Sequence, residues 1–108
     1  MKNDDGKPIL VRGPIELDLE RWCVRVNQRD VEMSPTQFRL LHHLMTRPGR
    51  VWTREELIDA VWNTRASEDK QPQVVDVLVC RIRRQLGEAA SLVETVRSVG
   101  YRFKGVKS

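Results

Sequence analysis

Residues 73–86 read QVVDVLVCRIRRQL and run straight into Gly87. On a helical wheel with Val75 at the origin, Val75, Leu78, Val79, Ile82 and Leu86 fall within about 100° of one another. That single apolar stripe predicts a helix over 73–86, with Gly87 as its C-terminal cap. The opposite side carries Gln73, Val77, Arg81 and Arg84, flanked by Val74 and Cys80. Arg83 sits on the shoulder, beside the direction of Asp76. One face is built for a core, and the other mixes cations with small apolar groups. Just downstream, residues 93–96 and 101–103 are two short strand-like runs, and Arg97-Ser98-Val99-Gly100 joins them as a tight hairpin.

Working back toward the N-terminus, two more helices announce their starts. Ser34-Pro35-Thr36-Gln37 places Ser at the N-cap, Pro at the first helical position and Gln where it closes a capping box. Phe38, Leu41, Leu44 and Met45 then recur at helical spacing, and Pro48-Gly49 ends the helix. Thr53-Arg54-Glu55-Glu56 is a second capping box, after which Leu57, Ile58, Val61 and Trp62 form a buried face. Between the second and third helices, residues 63–72 are polar, charged and aperiodic. They are read as a loop of about ten residues, long enough to suggest a function. Before the helices, residues 9–33 read as a small antiparallel meander. Ile15, Leu17 and Leu19 alternate with acids, Cys23, Val24 and Val26 follow, Asn27-Gln28 turns the chain, and Val31 and Met33 lie beyond. Residues 1–8 are a polar tail or linker, and residues 9–108 form one domain.

The chain has 108 residues, 19 of them Lys or Arg and 15 Asp or Glu, for a formal charge of +4. Residues 1–72 hold twelve basic and twelve acidic side chains, whereas residues 73–108 hold seven basic and three acidic. The whole excess therefore lies in the last third. No apolar run is long enough to span a membrane, and Met1 to Gly6 has no apolar signal core. Two cysteines are too few for a disulfide framework or a zinc cluster, which points to free thiols in a reducing cytoplasm.

Three helices followed by a basic hairpin is the arrangement of a winged helix-turn-helix, an α+β fold. Its basic helix has the chemistry of a groove reader. Arg donates two hydrogen bonds to guanine O6 and N7, Gln pairs with adenine, and a Val methyl touches a thymine methyl. Arg83 and Arg84 suit phosphates. Arg97, at the tip of a thin ribbon, suits a narrow and electronegative minor groove, with the hydroxyls of Thr95 and Tyr101 beside it. Arg102, Lys104 and Lys107 continue the basic run. The plainer alternatives are solvated charge on an exposed helix face and an ordinary surface hairpin. The helix and the hairpin together weigh for DNA.

From Ile15 to Phe103 the chain resembles the C-terminal effector domain of OmpR/PhoB-family bacterial response regulators. The carrying stretches are MSPTQFRLL at 33–41, RVWTREEL at 50–57, AVW at 60–62, VDV at 75–77, RIRRQL at 81–86 and TVRSVGYRF at 95–103. The charged stretch before QPQVVDVLVCR at 71–81 looks most like the cell-cycle regulator branch of alphaproteobacteria. The resemblance implies a four-stranded N-terminal sheet, a three-helix bundle and a C-terminal hairpin wing. It implies promoter binding for transcription regulation, usually by head-to-tail protomers on direct repeats. Position by position, it makes Val74, Val77 and Arg81 the base readers and Arg97 the minor-groove residue. Gln73, Arg83, Trp62, Thr95 and Tyr101 fall at phosphate-contacting positions, with Arg84 as a further backbone candidate. The loop at 63–72 corresponds to the one that touches RNA polymerase, often through a sigma subunit. Such a protein works in the cytoplasm, at the nucleoid.

The sequence also departs from the family pattern. Cys80 stands where phosphate-contacting members have Arg, Leu78 where His occurs, and Ser98 where the wing turn commonly has Gly. The family's phosphoacceptor domain is not within these residues, which implies an excised effector half or a free-standing version.

Other classes find less support. Adjacent His42 and His43 point about 100° apart on a helix and chelate poorly. No glycine-rich phosphate loop or carboxylate pair is present, so no catalytic residue, metal or cofactor is expected. Cys80, with arginine neighbours that favour thiolate, reads as a small filler or a redox-sensitive thiol. Trp22, Trp52 and Trp62 read as core or rim packing. The alternative function is a winged helix that contacts RNA polymerase without reading DNA. It predicts apolar groups where Arg81 and Arg97 stand.

Overall fold

The computed structural model describes residues 8–62 and 70–105. The meander is four strands, β1 (Ile9–Arg12), β2 (Ile15–Asp18), β3 (Cys23–Val26) and β4 (Arg29–Val31), in an antiparallel sheet of order β1-β2-β3-β4. Its register pairs Leu17 with Val24 and Ile15 with Val26. Those four side chains are buried. The intervening Glu16, Arg25 and Asp30 face outward, where Arg25 bridges Glu16 at 3.8 Å and Asp30 at 3.4 Å. One apolar and one polar face is what period-2 alternation dictates. Asn27 and Gln28 turn the chain with φ of 51° and 69°, the left-handed pair of a type I′ hairpin.

Helix α1 (Pro35–Thr46) starts as its sequence dictates. The Ser34 hydroxyl accepts from the Gln37 amide at 3.2 Å, and Gln37 Oε1 accepts from the Ser34 amide at 3.0 Å. The helix ends at Thr46, before Pro48-Gly49, with Arg47 already non-helical. In α2 (Arg54–Trp62) the Thr53–Glu56 box forms in the same way, at 3.1 and 2.9 Å. Helix α3 (Gln73–Leu86) has the expected bounds, and Gly87 follows it with φ 58°. Val75, Val79, Ile82 and Leu86 are buried, while Leu78 is half-buried against the same core.

Two elements were not expected from the sequence. Residues Gly87–Leu92 form a 3-10 turn. Trp52–Thr53 form a short strand, β5, antiparallel to β7 (Gly100–Phe103), whose other neighbour is β6 (Val93–Val96). The C-terminal hairpin is thus the outer part of a three-stranded sheet of order β5-β7-β6. Two residues are too short to show alternation, which hides β5 from sequence reading.

The core draws on every layer, including Ile15 and Leu17 of the first sheet, Leu41 and Leu44 of α1, Leu57 of α2, Ile82 of α3 and Phe103 of β7. The 3-10 turn is tied to the first sheet through Glu88, which accepts from Asn27 and bridges Arg29 at 3.1 Å. Trp52 and Trp62 pack partly buried on the core, while Trp22 is 44% exposed and stacks on Phe38 with ring centroids 5.1 Å apart.

Candidate nucleic-acid interface

Helix α3 turns its unburied face outward. Gln73, Val77, Cys80, Arg81 and Arg84 are exposed, with Val77 at 48%, and Val74 is half-buried against the core at the edge of this face. Among the described residues, no hydrogen bond or ion pair engages the guanidinium of Arg81, Arg84 or Arg97, so all fifteen of their N–H donors are available. Arg97 is exposed at the hairpin tip beside Ser98, whose φ of 66° is left-handed. The Val99 amide closes that turn onto the Val96 carbonyl at 2.9 Å.

Arg83 joins the helix to the hairpin. It donates to the Val93 carbonyl through Nε at 3.0 Å and Nη2 at 2.7 Å, and to Thr95 Oγ1 at 2.9 Å. Both acceptors are neutral, so among the described residues no carboxylate compensates its charge and its Nη1 donors have no partner. Thr95 is exposed on β6. Trp62, at the end of α2, is half-buried with the Lys70 ammonium 5.1 Å from its ring centroid.

Two expectations change here. Tyr101 is only 5% exposed, and its hydroxyl donates to Asp76 Oδ1 at 2.5 Å. It is therefore not the free hydroxyl that a phosphate contact requires. Burial first, then the Asp76 carboxylate, pushes its phenol up. Arg102 does not extend the free basic run, because it is paired across the hairpin with Glu94 at 2.8 Å.

Arg54, at the start of α2, donates to the same Asp76 oxygen at 2.8 Å. The Tyr101 hydrogen bond, followed by that of Arg54, holds the Asp76 carboxyl below its ordinary value. Arg54 and Asp76 were not singled out from the sequence. They lie 22 residues apart, so no local spacing signals their pairing. His42 and His43 are both half-buried, and His43 packs against Trp52 at 4.1 Å between centroids.

A helix pair whose second member exposes free arginines, followed by a hairpin strapped to that helix, defines the winged helix-turn-helix class. Residues 28–103 match the model of the family described as "Transcriptional regulatory protein, C terminal". The phosphate regulon transcriptional regulatory protein PhoB of Rhizobium meliloti is 43% identical over 94 residues, which span 85% of this chain and 40% of that protein. The chain thus covers about two-fifths of the length of this curated relative.

Among solved structures, the response regulator DrrB, described as a Thermotoga maritima OmpR/PhoB homolog, superposes with a TM-score of 0.78 and 26% identity, over 94% of this chain and 46% of that one. The DNA-binding domain of Klebsiella pneumoniae RstA, solved with its RstA box, gives a TM-score of 0.75 and 25% identity over 89% and 96% of the two chains. The chain belongs to the OmpR/PhoB-type family of transcriptional-regulator C-terminal domains. No described helix is long and apolar enough to cross a membrane.

Proposed function

We propose that this chain binds duplex promoter DNA sequence-specifically to regulate transcription, as the output domain of a two-component response regulator or a free-standing relative. The observation that carries this reading is the pairing of an α3 face bearing Arg81 and Arg84 with a hairpin that projects Arg97 and is bonded to α3 through Arg83, the first three arginines being unpaired among the described residues. Helix α3 enters the major groove, with Val74 and Val77 against thymine methyls and Arg81 on a guanine. Arg97 enters the adjacent minor groove. Gln73, Arg83, Arg84, Thr95 and Trp62 line the path of the phosphates, while Tyr101 supports from inside. Protomers bind direct repeats head to tail, and residues 63–72 meet RNA polymerase through a sigma subunit. Residues 63–69 of that loop lie outside the described residues. The setting is the bacterial cytoplasm, at the nucleoid. The RstA complex supports this reading by family relationship. The arginines at positions 81 and 97 weigh against a purely protein-binding winged helix.

Fluorescence anisotropy against salt tests it. Two to four phosphates neutralised per protomer give a slope of log K on log salt of about −2 to −4. Arg97→Ala should weaken binding most on duplexes with an A·T-rich minor groove beside the major-groove site. A flat salt dependence, or an Arg97→Ala loss indifferent to that composition, would count against the assignment.

A further inference from the structure

The hairpin is held to α3 at two separate polar points. In the first turn of α3, Asp76 Oδ1 accepts from the Tyr101 hydroxyl of β7 at 2.5 Å and from Arg54 Nε of α2 at 2.8 Å. Seven residues later, about 10 Å along the helix axis, Arg83 bonds the Val93 carbonyl and Thr95 hydroxyl of β6. The guanidinium carbons of Arg54 and Arg83 lie 5.4 and 5.8 Å from the centroid of the Tyr101 ring. Each strand of the hairpin is therefore bonded to α3 independently. One attachment leaves a pivot, and two fix an angle. Val79 of α3, Val93 of β6 and Phe103 of β7 are also buried, as members of the common apolar core. The polar groups thus add direction, which apolar burial does not supply.

Resting on the DNA-binding reading above, we propose that Asp76 is a positioning residue. Acting through Tyr101 and Arg54, with Arg83 as the second attachment, it fixes the angle of the hairpin to α3. That angle sets the base-pair step at which Arg97 enters the minor groove relative to the step read by Arg81. Asp76 itself touches no base. Arg97 lies two residues beyond Thr95, a lever arm of about 7 Å on an extended strand. A swing of about 30° at Thr95 displaces the tip by about one 3.4 Å base-pair step. A small loss of angular control therefore becomes a loss of register on DNA.

The test uses the full chain and a selected binding site in three forms. One carries A·T pairs under the wing, one carries G·C pairs there, and one has a base pair inserted between the two contacted segments. Asp76→Asn weakens the carboxylate's acceptor role, and Tyr101→Phe removes only the hydroxyl. Both variants are expected to lose at least threefold of the A·T preference and of the insertion penalty that the wild type shows. Adding Arg97→Ala to either should then cost less than it costs the wild type. Equal weakening on all three duplexes, with both ratios unchanged, would overturn the proposal and leave Asp76 merely structural. If Asp76→Asn does not fold by thermal melting, Tyr101→Phe decides the matter alone. A wild type with neither preference would overturn the wing reading and this proposal together, a result distinct from unchanged ratios in the variants.

Discussion

At the scale of single residues, the arginines sort by partner. Arg54 and Arg102 are neutralised by Asp76 and Glu94, each at 2.8 Å. Arg83 is bonded but keeps its charge, and Arg81, Arg84 and Arg97 have no partner among the described residues. The net charge of +4 therefore understates how concentrated the available cations are, because the paired ones drop out of the interface. Gly100 is the other decisive single residue. A Cβ built there falls 1.9 Å from the Trp52 carbonyl oxygen, where β5 crosses against β7. Backbone cannot retreat from such a clash as a side chain can. Gly100→Ala should cost about 2–3 kcal/mol by overpacking, measured by urea unfolding. A loss under about 0.5 kcal/mol would mean that β5 does not seat on the hairpin as described.

At the scale of elements, the helix starts were legible because their caps are local. Ser34 and Gln37, and Thr53 and Glu56, sit three residues apart, and the hydrogen bonds they imply are formed. Ser34→Ala should lower stability by about 1 kcal/mol, read as a drop in midpoint in thermal melts. No change would show that the capping box contributes nothing. The stripe of α3 was equally legible, since its 14 residues give nearly four turns of periodicity. Strand β5 was not, because two residues carry no period. The 3-10 turn is not legible because the stretch GEAASL has no strong signature, and Gly87–Leu92 takes its shape from packing Ala89 into the core. Within the interface, the exposed face of α3 and the hairpin tip followed from sequence. The internal ties of Arg83, Tyr101 and Arg102 did not, because they join residues distant in sequence through the fold.

At the scale of the whole molecule, folding couples to pH through α1. Burial pushes the imidazoles of His42 and His43 below the ordinary 6.5, and His42 and Arg50 depress His43 further. The unfolded chain then binds protons that the folded chain refuses. Stability is full above about pH 6.5 and falls as pH drops from there through the lowered values. Glu56, Asp76 and Glu88 are held below ordinary carboxylate values, chiefly by hydrogen bonds from Thr53, Tyr101 and Asn27. Their contribution is lost only at still more acid pH. The melting temperature should therefore fall between about pH 7.5 and pH 5.5, and the double variant His42→Gln with His43→Gln should flatten that fall. An unchanged slope in the double variant would count against this assignment.

The same scale holds the functional claim, that one neutral scaffold presents a few free arginines to adjacent grooves of a duplex. Selection from random duplexes, run side by side with the wild-type chain and Arg81→Ala at one fixed salt concentration, tests it most directly. The wild type should enrich a defined motif. The variant should lose preference at one or two adjacent positions, with a cost of about 1–3 kcal/mol on the selected site and little change on random DNA. No enrichment by the wild type, or an equal loss on selected and random duplexes, would contradict the claim.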